Sequence, residues 1–325
     1  MEMKKLMMAV AVCLGLTACE KPITAESANV NESERGGVSS DIPSKKFTFT
    51  VKGDFGSPTF MHGDVAMQSP RNERNNDGEQ RNDGARRAAT YLNDQGNQMT
   101  DLWVFDFVGD MCVQSIHQTT SDEAWGQPQM SLTLGTHHVY FVASRGLSPT
   151  LNVGAQSITW ASVRDTYWKD YEVTVVNTSN GNRAVTLERV VAKLKLTVND
   201  EIPAGASTLV CTPATWYYGM NYRTGAPVTA TNDQAISISI PANYVGTSGQ
   251  LVASFFTISG ADEWTTDVSV AVKDGNGASM GSAVIDDAPM LRNRSTEYSG
   301  NLFSGSGNMV VSVNGEWETP YIGTW

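Results

Sequence analysis

Lys46-Phe47-Thr48-Phe49-Thr50-Val51, followed at residues 69–88 by SPRNERNNDGEQRNDGARRA, is the stretch that decides how the rest of the chain is read. Phe47, Phe49 and Val51 recur every second residue, the period of a strand with one buried face. The later run has no apolar residue larger than Ala or Pro and carries Arg71, Arg74, Arg81, Arg86 and Arg87, so nothing in it can anchor a core. A buried strand tethered by an exposed, arginine-studded loop is one that an arginine-specific protease could disconnect. The plainer reading of the same residues is a surface insertion loop.

Working outward, 325 residues suffice for two domains with ordinary cores. Abundant Gly, Thr, Ser, Asn and Val, with few strong helix formers, favour sheets and many turns. The 34 acidic residues against 23 basic ones give a net charge of -11, which makes nucleic acid an unsuitable partner in the absence of a basic stripe.

At the amino terminus Lys4 and Lys5 precede an apolar and small-residue run, Leu6 to Leu16. That run is too short to span a bilayer and reads as a signal peptide over 1–18. Leu16-Thr17-Ala18-Cys19 resembles the bacterial lipobox, which implies cleavage before Cys19 and lipidation of its thiol. Residues 19–45 then form a polar tether. Cys112 and Cys211 remain for the folded body, expected as two separately buried thiols rather than a disulfide.

Further along, Trp103, Phe105 and Phe107 alternate as a core strand, with Val108-Gly109-Asp110 turning into a partner over 111–116. Strands are expected at 129–134, 139–143 and 171–176, and the helical spacing of Trp160, Val163 and Tyr167 suggests one short helix within 157–168. Leu187 to Val198 reads as a strand with Ala192, Leu194, Leu196 and Val198 on one face, and the domain boundary is placed just before it. Short strands follow at 209–213, 236–240, 251–258, 268–272 and 309–313, with a turn at 274–277. This is the rhythm of an all-β protein of two tandem sandwiches over 46–187 and 188–325, with at most one or two short helices.

Chemistry-bearing motifs are weak. Gly277-Ala278-Ser279-Met280-Gly281 has the nucleophile-elbow spacing but sits between β-like runs, so it is read as a turn. Glu73, Asn75 and Asp77 lack the acid that a calcium loop needs at Gly84. His137 and His138 are expected as solvent-facing turn residues, so neither a metal nor a cofactor is expected, and no enzymatic activity. Trp216-Tyr217-Tyr218 is the stretch least easily absorbed into a core and the candidate for glycan contact.

Three motifs, in order, resemble the major fimbrillins, the structural subunits of the protease-assembled fimbriae of Bacteroidia, whose sandwiches are transthyretin-like. They are the lipobox, tether, alternating strand and arginine-ending loop; Leu187-Glu188-Arg189-Val190-Val191-Ala192-Lys193-Leu194 with the later Leu291-Arg292-Asn293-Arg294; and Glu316-Trp317 with the terminal Thr324-Trp325. The resemblance implies a lipoprotein precursor held at the outer membrane, cut by an arginine-specific protease, and polymerised head to tail into an extracellular fimbria with copies of itself and other fimbrial subunits. It makes Phe47, Phe49 and Val51 the pocket-filling face of a removable strand, Arg87 with Arg86 the preferred cut, and Met309, Val311, Val313, Trp317 and Trp325 the donor strand, within a tail over 309–325. A cut at Arg35 would only release the lipid. The loop from Gly53 to Arg87 is longer than the family's strand-to-cut interval, which leaves Arg71, Arg74 and Arg81 as competing sites. The alternatives are an anchor or accessory lipoprotein of the same assembly, and a glycan-binding surface lipoprotein.

Overall fold

The computed structural model describes residues 43–53, 90–91, 99–260, 263–304 and 309–314. In chain order the first half contributes β1 (Ser44–Gly53), β2 (Thr90–Tyr91), β3 (Asp101–Val108), β4 (Met111–Thr119), β5 (Gln129–Thr133), β6 (Gly135–Ser144), β7 (Thr150–Asn152), β8 (Ser157–Thr159), β9 (Thr166–Val175) and β10 (Asn182–Arg189). The second half contributes β11 (Val191–Val198), β12 (Ala206–Pro213), β13 (Trp216–Asn221), β14 (Pro227–Thr231), β15 (Ile236–Ser239), β16 (Gln250–Ile258), β17 (Trp264–Asp274), β18 (Ser279–Met290), β19 (Ser295–Gly300) and β20 (Met309–Asn314). Among the described residues the helical content is a single 3-10 turn, Ala242–Tyr244. The protein is all-β, with two sandwiches in tandem.

In the first sandwich β3, β4, β6 and β9 form an antiparallel meander in the order β9-β6-β3-β4. Over it lie β1, β5 and β10, continuous with the meander through the short β10–β9 pairing at Glu188 and Arg189, with β2 on the carboxy-terminal end of β1. Between the layers lie the inward residues of each alternating strand, among them Phe47, Phe49, Val104, Leu132, Phe141 and Leu187. Burial of such side chains is the main favourable term holding the layers together.

The second sandwich packs the sheet β16-β11-β19-β20 against β15-β12-β17-β18. Ala192, Leu194, Leu196 and Val198 all face its core, as the alternation requires. Leu187 to Val198 is two strands rather than one, because the chain changes sheets at Val190. Its N–H donates to the Thr166 carbonyl at 2.9 Å and its C=O accepts from the Ser259 N–H at 2.8 Å. One residue therefore hands the chain from the first sandwich to the second with both backbone groups satisfied.

A third sheet, β14-β13-β8-β7, combines strands from both halves of the chain. It covers the outer face of the meander, where Trp103, Phe105 and Tyr140 meet Trp160, Met220 and Tyr222. β3 is consequently buried on both faces. The expected helix within 157–168 is absent: Ser157–Thr159 pair with β13, and Trp160 and Val163 point into this third core. The near-helical spacing there arose from two short extended pieces separated by a bend.

The two histidines also depart from expectation. His137 and His138 lie within β6, not in a turn, and alternate across it. His137 is 1% exposed, with Nδ1 at 2.8 Å from the buried Asp106 carboxylate and Nε2 at 3.0 Å from the Thr133 carbonyl. His138 is half-buried beside Asp170. Gly277 to Gly281 is, as read, the turn and first residues of the β17–β18 hairpin.

Candidate assembly interface

β1 is hydrogen-bonded along both edges. Thr48 to Gly53 run parallel to Asn182 to Leu187 of β10, while Ser44 to Thr48 run antiparallel to Thr133 to Gln129 of β5. Past the end of β5 the ladder continues, the N–H groups of Phe49 and Val51 each donating at 3.0 Å to Pro128 and Gly126. Phe47, Phe49 and Val51 are each 0% exposed. Phe49 makes edge-on contacts with Phe141 and Tyr171, and the Arg183 guanidinium lies 5.2 Å over the Phe47 ring. Burying these three side chains is worth on the order of 5–9 kcal/mol of transfer free energy, an upper figure before ordering costs.

A glycine fits β1 closely on its neighbour. A Cβ on Gly181, just before β10, would collide with the Lys46 carbonyl oxygen, and the Gly181 carbonyl accepts the Thr48 N–H. Only a residue without a side chain lets the turn approach the strand so closely.

β20 lies at the other end of the molecule's topology. It pairs antiparallel with β19, Met309, Val311 and Val313 standing opposite Gly300, Tyr298 and Thr296, and it is the last strand of its sheet. Among the described residues its outer edge has no partner strand, the condition in which a strand can be joined or exchanged. The connection leading into β20 is clasped by Asp200. One carboxylate oxygen accepts from the Leu302 N–H at 3.0 Å and the other from Phe303 and Ser304 at 2.7 and 2.8 Å. Burial pushes the Asp200 carboxyl up, but those three backbone donors outweigh it and hold the group below the usual carboxylate range.

Two motifs distant in sequence meet at the sheet change. The Arg189 Nε and Nη2 donate to the Asp165 carboxylate at 2.6 and 2.9 Å, and its Nη1 donates to Asn293 Oδ1 at 3.0 Å. Arg292 Nε donates to the Arg189 carbonyl at 2.9 Å and its Nη2 reaches Glu188. The roles of these residues are architectural: they pin the β18–β19 connection to the end of β10.

Cys19, the arginines at 71, 74, 81, 86 and 87, Trp317 and Trp325 lie outside the described residues. Cys112 and Cys211 are not joined in a disulfide, the first half-buried on β4 and the second buried on β12, where burial pushes its thiol up to about 12. Trp216-Tyr217-Tyr218 presents no exposed platform. Trp216 is 2% exposed and donates to the Phe256 carbonyl, while Tyr217 and Tyr218 are half-buried. Among the described residues no group of His, Cys, Asp and Glu is arranged to hold a metal, and no helix is long and apolar enough to cross a membrane. The Asp200 clasp and the Asp106–His137 pair were not legible in sequence, since each joins residues whose separation follows no motif.

No curated protein matches the chain. Among solved structures, similar folds occur in a candidate adhesin from Bacteroides ovatus (10% identity, 79% of this chain and 88% of that chain, TM-score 0.49). They also occur in a fimbrial assembly protein from Parabacteroides distasonis (12%, 84% and 96%, 0.44) and in the fimbrial anchor protein Mfa2 from Porphyromonas gingivalis (10%, 86% and 100%, 0.45). Residues 150–324, more than half of the 325, match the model of a family of unknown function, DUF6562, and the chain belongs to that family.

Proposed function

We propose that this chain is a structural subunit of a surface fimbria, of the shaft type, matured by removal of β1 and polymerised by strand addition. The observation that carries the reading is the state of β1. It fills the middle of a sandwich layer with three fully buried side chains, yet the chain beyond it leads into the polar, arginine-studded residues 69–88. Cutting at Arg87, or at Arg86 beside it, would leave β1 held by noncovalent contacts alone. Its loss would open a groove between β10 and β5 with unpaired backbone on both edges and pockets vacated by Phe47, Phe49 and Val51. An incoming strand restores both, main-chain bonds giving affinity and alternate side chains giving specificity.

The donor in this reading is the tail over 309–325, including Met309, Val311, Val313, Trp317 and Trp325. Its described part is a terminal strand bonded along one edge. Groove and tail are different surfaces, so their union repeats as an open filament rather than closing as a pair. The lipobox at Cys19 would place the precursor at the outer membrane and the assembled subunit outside it.

Mass spectrometry of subunits taken from shed filaments tests the proposal. The expected amino terminus is Ala88, and an intact, lipidated Cys19 terminus on assembled subunits would overturn the shaft role in favour of an anchor or accessory one. Deleting residues 309–325 is expected to abolish filaments while leaving folded monomer; filaments of normal length from that variant would remove the donor assignment.

A further inference from the structure

A cavity of about 320 Å³ opens between the segment linking β8 to β9 and strands β13, β15 and β16. Its size is that of a small-molecule site. The walls are fixed by hydrogen bonds that need no ligand: Trp160 N–H to the Tyr218 carbonyl at 2.9 Å, Trp216 Nε1 to the Phe256 carbonyl at 3.1 Å, and Tyr217 N–H to Thr257 Oγ1 at 3.0 Å. Tyr218, half-buried, gives the cavity an aromatic side, while Gln234 and Ser237 stand exposed at its rim.

Arg164 supplies the charge. It lines the cavity, its Nε is buried, and that Nε has no hydrogen-bond partner among the described residues. A buried donor without an acceptor is unfavourable, and native structures normally supply one. The adjacent Asp165 carboxylate does not accept it, being held instead by Arg189 through two hydrogen bonds and by the Tyr167 hydroxyl. Among the described residues, Arg164 is the one charged residue in the lining of this cavity, in a chain whose net charge is -11.

The ligand that completes this arrangement has a carboxylate for the guanidinium, hydroxyls for Ser162, Gln234 and Ser237, and an apolar ring face for Tyr218. We infer that the cavity binds a sugar acid of the hexuronic type, with its carboxylate on Arg164. A simple inorganic anion would satisfy the charge and leave the rest of the lining unused, and a neutral sugar would leave the charge unanswered. The inference does not rest on polymerisation, so either can fail without the other.

The test is calorimetric titration of the full chain with D-glucuronate, with D-glucose and acetate as partial mimics. Glucuronate is expected to bind saturably, and glucose and acetate each at least about tenfold more weakly. Arg164→Gln is expected to weaken glucuronate by about tenfold or more. Ser237→Ala, at an exposed position where folding is not at stake, is expected to weaken it a few-fold. No saturation by about 10 mM glucuronate would overturn the inference. So would acetate or glucose binding as tightly as glucuronate, or unchanged binding by a folded Arg164→Gln protein together with Ser237→Ala.

Discussion

Arg189 at the end of β10 and Asn293 in the β18–β19 connection, 104 positions apart, are joined by a 3.0 Å hydrogen bond from the guanidinium to the side-chain amide oxygen. Asn293 adopts φ 59, a left-handed conformation that Asn tolerates better than most residues, and its N–H donates to the Val191 carbonyl at 2.8 Å. Arg189 thus holds Asp165 with two donors and Asn293 with a third. Removing it as Arg189→Ala leaves the Asp165 carboxylate buried without its partner, at a cost of about 3–5 kcal/mol. Arg189→Lys is expected to recover only part, because a point charge cannot reproduce the fork. Denaturant unfolding measures both, and an Arg189→Lys protein as stable as the parent would show that the fork geometry is not what matters.

The Asp106–His137 pair predicts a pH effect. Burial pushes the Asp106 carboxyl up, and the neighbouring His137 only partly offsets this; its Oδ2 has no hydrogen-bond partner among the described residues. A carboxyl whose pKa is raised on folding stabilises the fold below its unfolded value of about 3.9 and loses that contribution as pH rises through the folded value. Asp106→Asn stays neutral at every pH and its Oδ1 can still accept from the ring. This variant is expected to match or exceed the parent at neutral pH and to lack that acid-side decline. Thermal unfolding across the acid range checks it; an unchanged slope would mean that other groups set the profile.

Asp200 predicts the opposite sign. Its folded pKa is lowered, so its contribution is present above the unfolded value and is lost as pH falls through the folded one. Asp200→Ala removes the acceptors for Leu302, Phe303 and Ser304, an expected loss of about 1–2 kcal/mol for a partly solvated charge-assisted cluster. Hydrogen exchange should quicken in β19 and β20 while β12 and β17 stay protected. Equal acceleration in both sheets would mean that Asp200 supports the sandwich as a whole rather than the β20 connection.

These contacts show where sequence reading reached and where it stopped. Alternation found β1 and the core face of β11 because each buries one face, so period two survives in the residue types. It divided the 187–198 run wrongly because the change of sheet at Val190 needs no Gly or Pro, only two redirected backbone bonds. In β3 it marked Trp103, Phe105 and Phe107 and let Asp106 pass as the polar side. That side is buried as well, its charge answered by a histidine 31 positions away. Arg189 and Asn293 were recognisable as motifs, yet nothing in their spacing said that they touch. The Arg164 cavity combines residues from segments separated by long intervals and left no local pattern at all.

Gly181 offers a way to separate the stability of β1 from that of the body. Gly181→Ala would drive a methyl group into the Lys46 carbonyl, and both positions are backbone, so no side-chain rotation can relieve the contact. The expected loss is about 1–3 kcal/mol, the range for overpacking. Phe49→Ala, by contrast, empties a fully buried site and is expected to cost about 3–5 kcal/mol. If β1 is a separable strand on a pre-formed groove, Gly181→Ala should raise exchange at the Thr48, Phe49 and Val51 amides, which bond across to Gly181, Pro128 and Gly126. The amides of β6 and β11 should keep their protection, since neither strand pairs with β1. A uniform fall in protection across the first sandwich would instead mean that β1 unfolds only with the whole layer, and a strand that cannot leave alone cannot be replaced by a neighbour's.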